Sequence, residues 1–153
     1  MLLLKNKSLN EKNYKTLIMY LYKHCEIITF LVPDFNYAVG VNYEDRIKPL
    51  LEDIKPFIQN NYVSDEYCDR KTEGIYNIYR VKFDYYITEV LCSVPGLYKW
   101  IYPNLPEDLC FYKNGKCFLS SVAHEKLCWI YTEDEKKIKA LEKIGLEFTK
   151  IPV

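Results

Sequence analysis

A chain of 153 residues that is 49% hydrophobic and 27% charged carries enough apolar side chain to offset the ordering entropy of a single domain, which excludes a disordered chain. Its 21 basic and 21 acidic residues cancel; with no global field to steer it onto phosphate backbones or anionic lipid, neither a nucleic-acid nor a membrane partner is expected. The opening MLLLKNK has four apolar residues before its first lysine, too few for an export signal or for the roughly 20 residues of a membrane span, so a cytoplasmic location is expected.

The first helix is announced by SLNE, where Ser8 and Glu11 stand at capping-box spacing ahead of a one-faced stripe of Tyr14, Leu17, Ile18 and Leu21. IITFLV, stopped by Pro33, is β-branched and aromatic and reads as a buried strand. Ile47, Leu50, Leu51, Ile54, Phe57 and Ile58 form a second helical stripe. Pro49 suits its first turn, and Pro56 should bend or end it near Lys55. The polar stretch 60–74, NNYVSDEYCDRKTEG, reads as a long loop, either mobile or functional.

IYNIYRVKF alternates, with Ile75, Asn77, Tyr79, Val81 and Phe83 on one side, as a strand with one partly wet face does. YYITEVLCSV has helical spacing at Ile87, Val90, Leu91 and Val94 and reads as a helix ending before Pro95 and Gly96, although its β-branched content would also suit a strand. DLCFYK, then Asn114-Gly115, then KCFLSSV predict a hairpin, because a two-residue turn of matching twist needs positive φ at both centres. That turn sets Lys113 opposite Lys116, Tyr112 opposite Cys117, Phe111 opposite Phe118 and Cys110 opposite Leu119. KLCWIY adds a strand. TEDEKKIKALEKIG reads as a helix capped by Thr132 and stopped by Gly145, and LEFTKI as a last short strand. The order predicts one α+β domain over residues 1–153, an antiparallel or mixed sheet with three to four helices packed on it.

Chemistry-bearing residues cluster in the last third. Six cysteines (Cys25, Cys68, Cys92, Cys110, Cys117 and Cys128) are scattered through a chain with ample core, and reduced, mostly buried thiols are expected. Cys110 and Cys117 fall diagonally across the hairpin, about 7–8 Å apart, beyond comfortable disulfide reach. With no Cys-x-x-Cys pair and no second histidine near His124, neither a structural metal nor any cofactor is expected. His124 and Glu125 follow the second hairpin strand, on a rigid base where they can face a cleft or simply end the strand. Glu107 and Asp108 are adjacent, and in an extended segment would point opposite ways. LYKWIYPNLPEDL carries Tyr98, Trp100 and Tyr102 between prolines, and such a stiff aromatic loop can build a recognition surface or cap the core. No glycine-rich phosphate cradle and no serine nucleophile elbow is present. Fifteen tyrosines fit an AT-rich coding sequence, and would also serve an interface.

WIYPNLPEDL together with the later HE resembles a group of small uncharacterised proteins from low-GC Gram-positive bacteria and their phages, which share a W-x-x-P-N-x-P-E-D-L run and a terminal His-Glu. The resemblance covers the last third. It implies a bacterial or phage origin and draws attention to Trp100, Pro106, Glu107, Asp108, His124 and Glu125 without assigning them roles.

The resulting expectation is a non-catalytic cytosolic binding protein, an immunity or anti-defence factor of bacterial or phage conflict. It would hold a protein partner through Tyr98, Trp100, Tyr102, Glu107, Asp108, His124 and Glu125, and the same residues would serve a homo-oligomer. Two alternatives stand beside it: capture of a small nucleotide-type ligand, and a hydrolase using His124 with a nearby carboxylate.

Overall fold

An eight-stranded antiparallel sheet with helices on one face accounts for residues 1–33 and 43–152, the part of the chain that the computed structural model describes. The strands are β1 (Leu2–Leu4), β2 (Ile27–Pro33), β3 (Ile58–Tyr67), β4 (Arg70–Lys82), β5 (Glu107–Lys113), β6 (Lys116–Val122), β7 (Leu127–Ile130) and β8 (Phe148–Lys150). They lie in the order β3-β4-β2-β5-β6-β7-β1-β8. The helices are α1 (Glu11–His24), α2 (Tyr43–Ile54), α3 (Tyr85–Cys92) and α4 (Glu135–Ile144). This is the expected single α+β architecture. Among the described residues no helix is long and apolar enough to cross a membrane.

The pleat divides the sheet into two faces with different jobs. Ile28, Phe30 and Val32 of β2 and Leu109 and Phe111 of β5 meet the stripes Tyr14, Leu17, Ile18 and Leu21 of α1 and Ile87 and Leu91 of α3 in the main core. Burying each aliphatic side chain there is worth about 1.5–3 kcal/mol. On the opposite face a small group of Leu31, Tyr67, Ile78 and Cys110 is buried beneath the tip of the β3–β4 hairpin. β2 is therefore covered on both sides, which explains why Ile27 to Val32 are buried without a break.

Several local expectations give way to tertiary context. Asn10, not Ser8, caps α1 by accepting from the Asn13 amide; the Ser8 hydroxyl instead donates to the Lys5 carbonyl and accepts from the Glu147 amide. Asp134 takes the capping role expected of Thr132, and Gly145 ends α4 at a φ of 105°. α2 begins earlier than its apolar stripe, which leaves Pro49 inside it rather than in its first turn; it ends at Ile54, before Pro56, as expected.

The stretch 60–74 is no loop. It forms most of β3 and the start of β4, closed by a two-residue turn at Cys68 and Asp69 with φ of 47° and 62°. The strands are wet on both faces for most of this length, so no hydrophobic alternation marks them.

The Asn114-Gly115 turn is present, with φ of 49° and 76°. Lys113 pairs with Lys116 and Tyr112 with Cys117 as expected, but a bulge then sets Phe111 opposite Leu119 and Cys110 opposite Ser120. Phe118 and Leu119 thereby both enter the main core.

Candidate functional site

Everything at the site depends on a second bulge, at the start of β5. Thr29 pairs with Cys110 and Leu31 with Glu107, so two residues of β5 stand against Phe30 alone. Asp108 absorbs the extra residue with a φ of 60°, a conformation aspartate tolerates better than most side chains. The expected divergence of Glu107 and Asp108 is thus undone. Both carboxyl groups reach the face away from the helices.

There they line a cavity of about 510 Å³ together with Arg70, Tyr76, Tyr102 and His124. Asp108 is fully engaged: Oδ2 accepts from Arg70 Nη2 at 2.7 Å and Oδ1 accepts from the Ala123 amide at 2.8 Å. Glu107 is only 2% exposed. Tyr76 and the Tyr102 backbone offset part of the burial cost of its carboxyl group, yet Oε2 has no hydrogen-bond partner among the described residues. Burial, reinforced by the neighbouring charge of Asp108, pushes the Glu107 carboxyl up to about 7. A group that is half-protonated near neutrality can accept, hold or return a proton there.

His124 sits on a 3-10 turn after β6 with its side chain 53% exposed, its Nε2 at 3.7 Å from Glu125 Oε1. Ligating atoms of Glu107, Asp108 and His124 lie within 4.8 Å of one another. With both Asp108 oxygens already accepting hydrogen bonds, the trio is better arranged for hydrogen bonding and proton exchange than for holding a cation.

Of the residues singled out in sequence, Tyr102, Glu107, Asp108, His124 and Glu125 all border this cavity. Trp100 does not. It is 2% exposed, packed in the main core, and donates its indole N–H to the Tyr14 hydroxyl at 3.1 Å, which in turn donates to the Leu91 carbonyl at 2.7 Å. Tyr98 also packs against that core, with its hydroxyl donating to Asn6 Oδ1 at 2.8 Å. Trp100 is therefore withdrawn from the expected recognition surface and closes the helix side of the sheet, while Tyr98 stays half-buried beside it.

Sequence reasoning missed the hairpin tip. Tyr67 buries its hydroxyl between Thr29 Oγ1 at 2.8 Å and the Asp108 carbonyl oxygen at 2.7 Å, and Arg70 reaches the cavity. Between them Cys68 meets two more thiols, with its Sγ 2.8 Å from that of Cys110 and 4.0 Å from that of Cys117. The Tyr112 hydroxyl is 2.8 Å from the same sulfur. Hydrogen bonding with the Cys110 and Cys117 thiols, outweighing burial and helped by Tyr112 and the Arg70 charge, lowers the Cys68 thiol from its ordinary range. All six cysteines are free thiols. Only the unusual placement of a cysteine in a tight turn could have marked this one, and that turn was itself hidden.

Comparison with protein-family models, with curated proteins and with solved structures yields no match.

Proposed function

We propose that this chain is a binding protein for a small polar molecule of nucleotide type, taken up in the cavity above Glu107. The observation that carries the reading is the orphaned Oε2 of Glu107, a buried acceptor bordering an open cavity. Leaving such an atom without a partner costs about 1–3 kcal/mol, which a ligand N–H returns on binding. The cavity volume falls in the range of small-molecule sites. Tyr76, Tyr102 and Trp129 offer aromatic surface to a heterocycle, while Arg70 and Lys71 stand at its border for an anionic group.

Thermal-shift and calorimetric titrations with nucleobases, nucleosides and mononucleotides test this reading. A ligand should raise the unfolding midpoint of the native chain. Its affinity should fall about tenfold or more in Glu107→Gln, which replaces one acceptor oxygen by a donor. His124→Ala, at a half-exposed position, should weaken binding while leaving stability within about 0.5 kcal/mol. A panel with no shift in the native chain removes the proposal.

A second reading, docking of a protein partner as in a conflict factor, is favoured by a different surface. Tyr62 and Val63 are more than half exposed on β3, an edge strand, with Ile75 exposed on β4 beside them. A partner strand could pair along that edge. Such a complex should survive Glu107→Gln and be lost when Tyr62 and Val63 are both replaced by lysine.

A further inference from the structure

We propose that Cys68, Cys110 and Cys117 form a three-thiolate site for a thiophilic d10 cation of the Zn2+ type, which fastens the tip of the β3–β4 hairpin to the sheet. The ligands come from three separate segments: Cys110 from β5, Cys117 from β6 across the Asn114-Gly115 hairpin, and Cys68 from the turn that lies over them. Their sulfurs all lie within 4.8 Å of one another. Zn–S bonds of about 2.3 Å hold ligating sulfurs roughly 3.8 Å apart. The Cys68–Cys117 separation of 4.0 Å already suits this. The 2.8 Å between Cys68 and Cys110 has to open by about 1 Å, a movement available to a side chain on a two-residue turn.

Three further observations converge on the same point. Cys68 occupies the left-handed region at the first turn position, where Asn, Asp or Gly is the usual choice, so its side chain rather than its backbone gives the reason for its presence. A cavity of about 460 Å³, lined by Cys68, Tyr67, Asp69 and Tyr112, opens to solvent beside the Cys68 side chain and leaves room for a water as fourth ligand. Beyond the Arg70–Asp108 ion pair and the Tyr67 hydroxyl, the hairpin tip rests on a small apolar group, so a cross-link there further fixes an arm that is wet on both faces for most of its length.

Binding balances without any redox partner: Zn2+ takes the three sulfurs as thiolates, and the protons of the thiols pass to solvent. The product carries one net negative charge, which Arg70 faces from two residues along the chain. A disulfide would use two of the three sulfurs and would need an oxidant.

The test is titration of the reduced full-length chain with Zn2+ against a chromogenic chelator, and with Cd2+ as a spectroscopic stand-in. One ion per chain is expected, with thiolate-to-cadmium charge-transfer absorption and slower hydrogen exchange at residues 66–72 on loading. Cys68→Ser and Cys117→Ser, both at partly exposed positions and checked for folding by circular dichroism, should each weaken binding about 100-fold or more. Cys92→Ser, which removes a thiol outside the cluster, should leave the Zn2+ affinity unchanged. Equal Zn2+ affinity in the native chain and Cys68→Ser, cadmium binding without the charge-transfer band, or a Cys68–Cys110 disulfide in anaerobically isolated protein would overturn it.

Discussion

Arg70 Nη2 donates to Asp108 Oδ2 at 2.7 Å, joining the start of β4 to the bulge on β5 across 38 residues of sequence. Asp108 is almost wholly buried, whereas the Arg70 side chain is partly exposed. Removing the guanidinium strands a buried carboxyl group that retains only the Ala123 amide. Arg70→Ala should therefore cost about 1–3 kcal/mol, less than for a pair buried on both sides. Urea denaturation of Arg70→Ala, Asp108→Asn and the double variant should give a coupling energy above about 0.5 kcal/mol; strict additivity would show that the contact contributes nothing.

Glu107 makes stability depend on pH in an unusual direction for a carboxylic acid. Its ordinary value of 4.5 is raised to about 7 in the native state, first by burial and then by the Asp108 charge. The unfolded chain therefore releases this proton at lower pH than the native chain. The contribution is fully present below pH 4.5 and is lost as pH rises through 7, by about 3 kcal/mol. Glu107→Gln should abolish that slope, so denaturation midpoints of the two proteins should converge in acid and separate above neutrality, with the variant the more stable. Parallel curves across that interval would show that the native carboxyl group titrates normally.

Trp100 distinguishes a core role from a contact role. Its ring is buried in the main core beside Ile87 and Leu109, and its N–H is matched to Tyr14. Trp100→Ala should cost about 3–5 kcal/mol of folding stability. Ligand affinity in the Glu107 cavity, measured where the variant remains folded, should be unchanged. Loss of affinity with little loss of stability would return this residue to the binding surface.

Much of the architecture was legible because the helices and inner strands obey simple periods. The stripe of Tyr14, Leu17, Ile18 and Leu21 repeats with the helical turn, and Asn114-Gly115 supplies the two positive φ values of a tight hairpin. The outer arm was not legible. Ile58–Tyr67 is solvated on both faces, and its Cys68–Asp69 turn lacks the glycine that marks such turns. The site was half legible. Glu107, Asp108 and His124 stood out by residue type, but no local rule reveals that Asp108 adopts a positive φ, and that one dihedral puts both carboxyl groups in one cavity. The thiol cluster joins Cys68 to partners 42 and 49 residues away, so only tertiary pairing brings them together.

Leu2–Leu4 is an interior strand, hydrogen-bonded to Leu127–Ile130 on one side and to Phe148–Lys150 on the other, with Leu2 and Leu4 sealed in the core. A chain leaving the ribosome therefore carries these leucines unpaired until Leu127–Ile130, and then Phe148–Lys150, have been made. Closure of that half of the sheet comes late. Such long-range pairing folds slowly, and the waiting N-terminal segment is where a chaperone has the most to protect.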